Sequence, residues 1–150
     1  MNSISLKVSG GISMYKSILL AADGSDNSIR AAKETLNFIN EKSEVTILNV
    51  IDPADSKDDV LHSGASESII NKRKEKLSEI ISVYESNDIP YLIYYEHGVP
   101  NETVVAFANK GQHQLVVLGN RGLNSLQEMV MGSVSHKVAK RSKIPVMIVK

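Results

Sequence analysis

Two stretches of this 150-residue chain bring together side chains suited to chemistry. The first is Gly119-Asn120-Arg121-Gly122, followed after nine further residues by Gly132-Ser133. Glycine lets backbone N–H groups approach an anion with no Cβ in the way. A helix start adds unpaired N–H groups and a partial positive charge. The Ser133 hydroxyl, with Ser135 two residues on, supplies further donors. Together these are the parts of a phosphate cradle. The same spacing also suits a purely structural role, with Gly119 and Gly122 shaping a strand-to-loop turn and Gly132 easing a tight helix entry. The second stretch is Ala22-Asp23-Gly24-Ser25. Asp23 has the chemistry to hydrogen-bond a ribose or to ligate a metal carried by phosphates. Read structurally, it opens an Asp-Gly turn and Ser25 caps the helix that follows.

Other chemistries are poorly supplied. Ser133, Ser135 and His136 stand too close in sequence to set a hydroxyl against an imidazole and an oxyanion hole together, and there is no G-x-S-x-G elbow. His62, His97, His113 and His136 show no paired metal-ligand spacing, so each is expected at the surface or an edge. No G-x-x-x-x-G-K-[ST] segment offers a lysine to a γ-phosphate. The absence of cysteine excludes disulfides, thiolate zinc sites and a cysteine nucleophile, and it suits a reducing compartment. Lys plus Arg and Asp plus Glu number 17 each, so no net field draws the chain to nucleic acid or anionic lipid. With no Trp and two Phe, stacking platforms for single strands are scarce. No apolar run approaches the ~20 residues of a membrane span.

These segments must be positioned by the elements around them. Five apolar runs read as strands: residues 17–22, 45–51, 90–95, 115–118 and 144–149. Most are short, rich in Val, Ile and Leu, and nearly free of charge, the pattern of parallel strands covered on both faces. Four helical patterns alternate with them. The first runs from Asp26 to about Asn40, with Ile29, Ala32, Leu36 and Ile39 as its apolar stripe. The second spans about Glu67 to Ser86, with Ile70, Leu77, Ile80, Ile81 and Tyr84 on one face and the charge run Lys72 to Lys76 read as solvated surface. The third begins near Pro100 and stops near Gly111. The fourth runs from Ser133 to before Pro145. Alternating strands and helices with short connections predict an α/β fold, a single-domain open parallel sheet with helices on both faces. Residues 1–13 read as a disordered N-terminal extension before a domain over 14–150, and Asp52 to Ser66 reads as a mobile loop or a lid.

From Met14 onward the sequence resembles the universal stress protein family. Residues 15–25 (YKSILLAADGS), 45–52 (VTILNVID), Gly98-Val99-Pro100 and Leu115 to Lys150 carry the likeness, and G-x2-G-x9-G-[ST] is the signature of its ATP-binding branch. The resemblance implies an adenine nucleotide alpha hydrolase-like sheet of five parallel strands in the order 3-2-1-4-5. It implies ATP, with or without Mg²⁺, lying across the ends of strands one and four, or another adenine nucleotide such as AMP in its place. Val50 would meet adenine through its backbone, Asp23 would lie near the ribose and any metal, and Gly119 near the ribose. Gly122, Gly132, Ser133, Val134 and Ser135 would hold phosphates, Leu118 and Arg121 would line the site, and Ala21 and Ala22 would border it through backbone, Ala21 standing where a proline is often found. The family also implies a cytoplasmic homodimer joined through the C-terminal strand, 144–149. The function implied is a nucleotide-dependent stress-response module with slow or partner-dependent ATP hydrolysis, the alternative being a genuine ATPase or nucleotide-processing enzyme.

Overall fold

The computed structural model describes residues 15–54, 66–120 and 132–150. Along the described residues run β1 (Ser17–Ala21), α1 (Asp26–Thr35), β2 (Glu44–Ile51), α2 (Ser66–Lys76), α3 (Ser78–Glu85), β3 (Tyr91–His97), α4 (Pro100–Ala108), β4 (Leu115–Gly119), α5 (Ser133–Arg141) and β5 (Val146–Val149). The strands form one sheet in the order β3-β2-β1-β4-β5, parallel at every pairing. The expected architecture and strand order are therefore both present. The proposed extension over 1–13 and the core of the proposed loop, 55–65, lie outside the described residues.

Side chains alternate across a strand, so each central strand feeds two apolar layers. Ile18 and Leu20 of β1 join Ile47, Val117, Ala31, Ala32, Leu77, Ile80 and Tyr84 on the face covered by α1 and α3. Leu19 points the other way, into Leu48, Val116, Leu118, Val104, Phe107 and Val138 beneath α4 and α5. All three β1 side chains are fully buried, which explains why its run is unbroken rather than alternating. Each such Leu or Ile contributes about 1.5–3 kcal/mol.

Ser25 caps α1 as expected, its hydroxyl accepting from the Ser28 N–H at 3.3 Å. The helix ends earlier than its apolar stripe suggests. Leu36, Asn37 and Phe38 donate to carbonyls three residues back, so the chain tightens into a 3₁₀-type turn and Ile39 is buried beyond the helix. The second helix is likewise divided. Leu77, at φ −89° and ψ 0°, shares its N–H between the carbonyls of Arg73 and Lys74, and α3 restarts after it. The break lies against the β1–α1 turn, where a Cβ on Gly24 (φ +86°) would meet the Lys76 carbonyl oxygen at 2.4 Å. Ile69 takes the buried position expected for Ile70, which is only partly covered.

His113 departs from its expected place at the surface. It is 9% exposed, its Nε2 lies 3.0 Å from Thr46 Oγ1, and its ring stacks on Phe107 at 5.9 Å. Burial lowers its pKa from the ordinary histidine value, and the Glu44 charge partly opposes that shift. At the β5 edge of the sheet, Val146, Met147, Ile148 and Val149 are half-buried, each packed against one of the two layers. Among the described residues no helix is long and apolar enough to cross a membrane.

Candidate functional site

β1 and β4 lie side by side at the centre of the sheet. From β1 the chain passes to α1 on one face, and α5, beyond β4, covers the other. In open α/β sheets such a divergence leaves a crevice where ligands bind. A cleft of about 190 Å³ lies there, and a cavity of ~150 Å³ already admits a benzene-sized ring. Ala21, Ala22, Asp23, Val50, Leu118, Gly119, Gly132, Val134 and Ser135 line it, so nine of the twelve expected site residues are brought together. Ser133, at the first position of α5, is exposed and does not line the cleft. Arg121 and Gly122 lie outside the described residues.

The β1–α1 turn is built as its sequence suggests. Asp23 Oδ1 accepts from the Ser25 N–H at 2.9 Å and from the Ser28 hydroxyl at 3.3 Å, and the Gly24 N–H donates to Ser28 Oγ at 3.1 Å. Asp23 is thus a turn-forming residue whose exposed carboxylate also borders the cleft. Beside it, the Asn49 side-chain amide donates to the Ala22 carbonyl at 2.9 Å and ties the end of β1 to β2.

The two glycines that flank the cleft serve different purposes. A Cβ on Gly119 would stand 2.5 Å from the Asn27 carbonyl oxygen, so glycine is needed there because α1 packs directly on the end of β4. Gly132 caps α5 at φ −64° and ψ 159°, a conformation open to any residue. Its N–H donates to Asn120 Oδ1 at 3.3 Å, and its carbonyl accepts from the His136 N–H at 2.9 Å and from the buried Ser135 hydroxyl at 3.3 Å. The first turn of α5 follows, with N–H groups that have no acceptor within the helix. Ser135 is thus bonded to backbone and not to His136, which is exposed.

Sequence reasoning missed Arg73. Instead of joining the solvated charge run, it is only 8% exposed and lines the cleft. Its Nη1 reaches Val50 O at 3.4 Å and Asn49 Oδ1 at 3.5 Å, while its buried Nε finds no acceptor among the described residues. The signal was present in the spacing: Ile69, Arg73, Leu77, Ile80 and Tyr84 follow the helical period, and the other four are core. Among the described residues Arg73 is the one cation lining a cleft that also holds Asp23 and Asp52. No group of three or more His, Asp or Glu among the described residues is placed to hold a metal ion.

Comparison with known proteins adds a second line. The sequence profile of the Universal stress protein family matches residues 14–150. Universal stress protein MJ0531 of Methanocaldococcus jannaschii is 31% identical, over all of this chain and 89% of that protein. Universal stress protein MJ0577 of the same organism is 30% identical, and its solved structure gives a TM-score of 0.76 over 91% of this chain and 96% of that one. A universal stress protein solved in complex with cAMP is 25% identical, with a TM-score of 0.66 over 92% of this chain and 98% of its own. Profile, sequences and sheet order all agree over essentially the same residues, and the chain belongs to the universal stress protein family.

Proposed function

We propose that the cleft binds an adenine nucleotide, ATP above all, and that the protein is a nucleotide-dependent regulatory module of the stress response. One observation carries this reading: the start of α5 opens into the same cleft as Asp23 and the end of β2. A helix start suits phosphates, a carboxylate suits ribose hydroxyls, and the backbone at Val50 offers the hydrogen-bonding edge an adenine needs. The relative solved with cAMP supports the choice of adenine. In this reading Gly132, Val134 and Ser135 face the phosphates with Gly122 and Arg121, Ser133 offers its hydroxyl from the exposed first position of α5, Gly119 lies near the ribose, and Ala21, Ala22 and Leu118 form the walls. When Mg²⁺ accompanies the nucleotide, it bridges phosphates and Asp23.

Hydrolysis is slow or needs a partner in this proposal, because His136, the one histidine near the cradle among the described residues, is exposed and the Ser135 hydroxyl is spent on the Gly132 carbonyl. The protein acts in the cytoplasm as a homodimer paired through residues 144–149, and residues 1–13 are dispensable for folding and binding.

The deciding measurement is the nucleotide released from purified protein on denaturation, identified by mass, with calorimetric titration of ATP, AMP and cAMP into nucleotide-free protein. Adenine nucleotide is expected in the released fraction, with saturable binding of ATP. Absence of binding by all three would sink the proposal.

A further inference from the structure

We infer that Arg73 is a specificity-determining residue of the cleft, donating from its guanidinium to an uncharged hydrogen-bond acceptor on the nucleoside half of the ligand, a purine ring nitrogen or a ribose oxygen. The inference rests on the nucleotide reading given above.

The side chain is held in place yet poorly satisfied. Its two contacts, at 3.4 and 3.5 Å, are long beside the ~2.9 Å of a good N–H···O bond. Its Nε–H is buried without an acceptor among the described residues. Leaving a donor of a charged group buried and unpaired is costly, so such a group is kept where something meets it. The cleft that Arg73 lines is where that partner would come from.

Its position selects the nucleoside half. Arg73 is tethered to Val50 and Asn49 at the end of β2. In the order β3-β2-β1-β4-β5, β2 stands two strands from β4. At ~4.8 Å per strand, that is about 10 Å from the strand end that leads toward α5 and the phosphate cradle. A guanidinium tethered at Val50 meets the base and ribose instead.

The test is calorimetric titration of adenosine, AMP and ATP into the full chain and into Arg73→Met and Arg73→Lys. Arg73→Met is expected to weaken all three by the same factor, about 10- to 100-fold, the range for one hydrogen bond from a charged donor. Arg73→Lys is expected to remain weakened, since an ammonium keeps the charge but not the fork. Unchanged affinity would overturn the inference and leave Arg73 a structural strut. A loss that grows from adenosine to ATP, or full recovery with lysine, would overturn it in favour of simple phosphate attraction. Thermal midpoints control for folding, and Arg73→Lys carries the test alone if Arg73→Met does not fold. If the unaltered protein binds none of the three, the nucleotide reading itself fails. If it binds ATP and both variants match it, only the role of Arg73 fails.

Discussion

The side-chain oxygen of Asn120 accepts the backbone N–H of Gly132 at 3.3 Å, joining the residue just past β4 to the cap of α5 across twelve positions of sequence. Asn120 is itself fixed to the sheet, its N–H donating to the Val149 carbonyl at 2.8 Å. The cap of the proposed phosphate helix is therefore referenced to the β4–β5 ladder. Asn120→Ala should leave the fold in place and weaken ATP binding about 3- to 10-fold, the net value of one hydrogen bond. Calorimetric titration measures it, and amide exchange at residues 132–135 should quicken in the same variant. Unaltered affinity would show that this bond does not position the cap.

Gly119 and Gly132 should separate stability from binding. Gly119→Ala sets a Cβ against the Asn27 backbone, with no flexible side chain to give way, and should cost about 1–3 kcal/mol in denaturant unfolding. Gly132→Ala asks for no unusual φ and should change stability by less than about 0.5 kcal/mol. Gly132→Val should lower ATP affinity roughly 10- to 150-fold by crowding the phosphates. Wild-type affinity in folded Gly132→Val would remove this loop from the site.

His113 should make stability fall as pH drops. Its folded-state pKa is lowered, chiefly by burial, so the folded protein keeps the ring neutral where the unfolded chain takes up a proton. The unfolded state then binds more protons, and stability is full above about pH 6.5 and is lost as pH falls toward the lowered value. Urea midpoints across that window should slope downward in the native protein and flatten in His113→Gln. An equal slope in both would assign the effect to other groups.

β5 should pair with its copy. Its four apolar residues are half-buried at a sheet edge, and an uncovered edge of that kind invites association. Light scattering at micromolar concentration should give twice the chain mass, and a single-chain mass would count against the pairing.

Strand positions were legible because both faces of a parallel sheet are covered, which leaves an unmistakable apolar run at Ile18, Leu19 and Leu20, whereas the strand order followed only from the family resemblance. The region of the cleft was legible because the glycine spacing and the Asp23 turn fall at the carboxyl ends of β4 and β1, while Val50, Leu118 and Val134 were placed there by the family resemblance alone. Arg73 was not, because charge outweighed period: its neighbours Lys72 and Lys74 are solvated, and only the phase of Ile69 and Leu77 places it inside. Gly119 was read as a ligand or turn glycine, whereas its close neighbour is Asn27, on a helix far from it in sequence. His113 lies beneath Phe107 and beside Thr46, and no local pattern announces so distant a pair of contacts.

The central place of β1 has a consequence for synthesis. Ile18 pairs with Val45 on one side soon after both have been made, but its partner on the other side, Leu115, is added 97 positions later. At translation rates of about 5–20 residues per second, one flank of this central strand waits on the order of 5–20 seconds for its native neighbour. During that interval the edge of β1 that β4 later pairs has no native partner, so the strand that anchors both apolar layers is the last of the early elements to be completed.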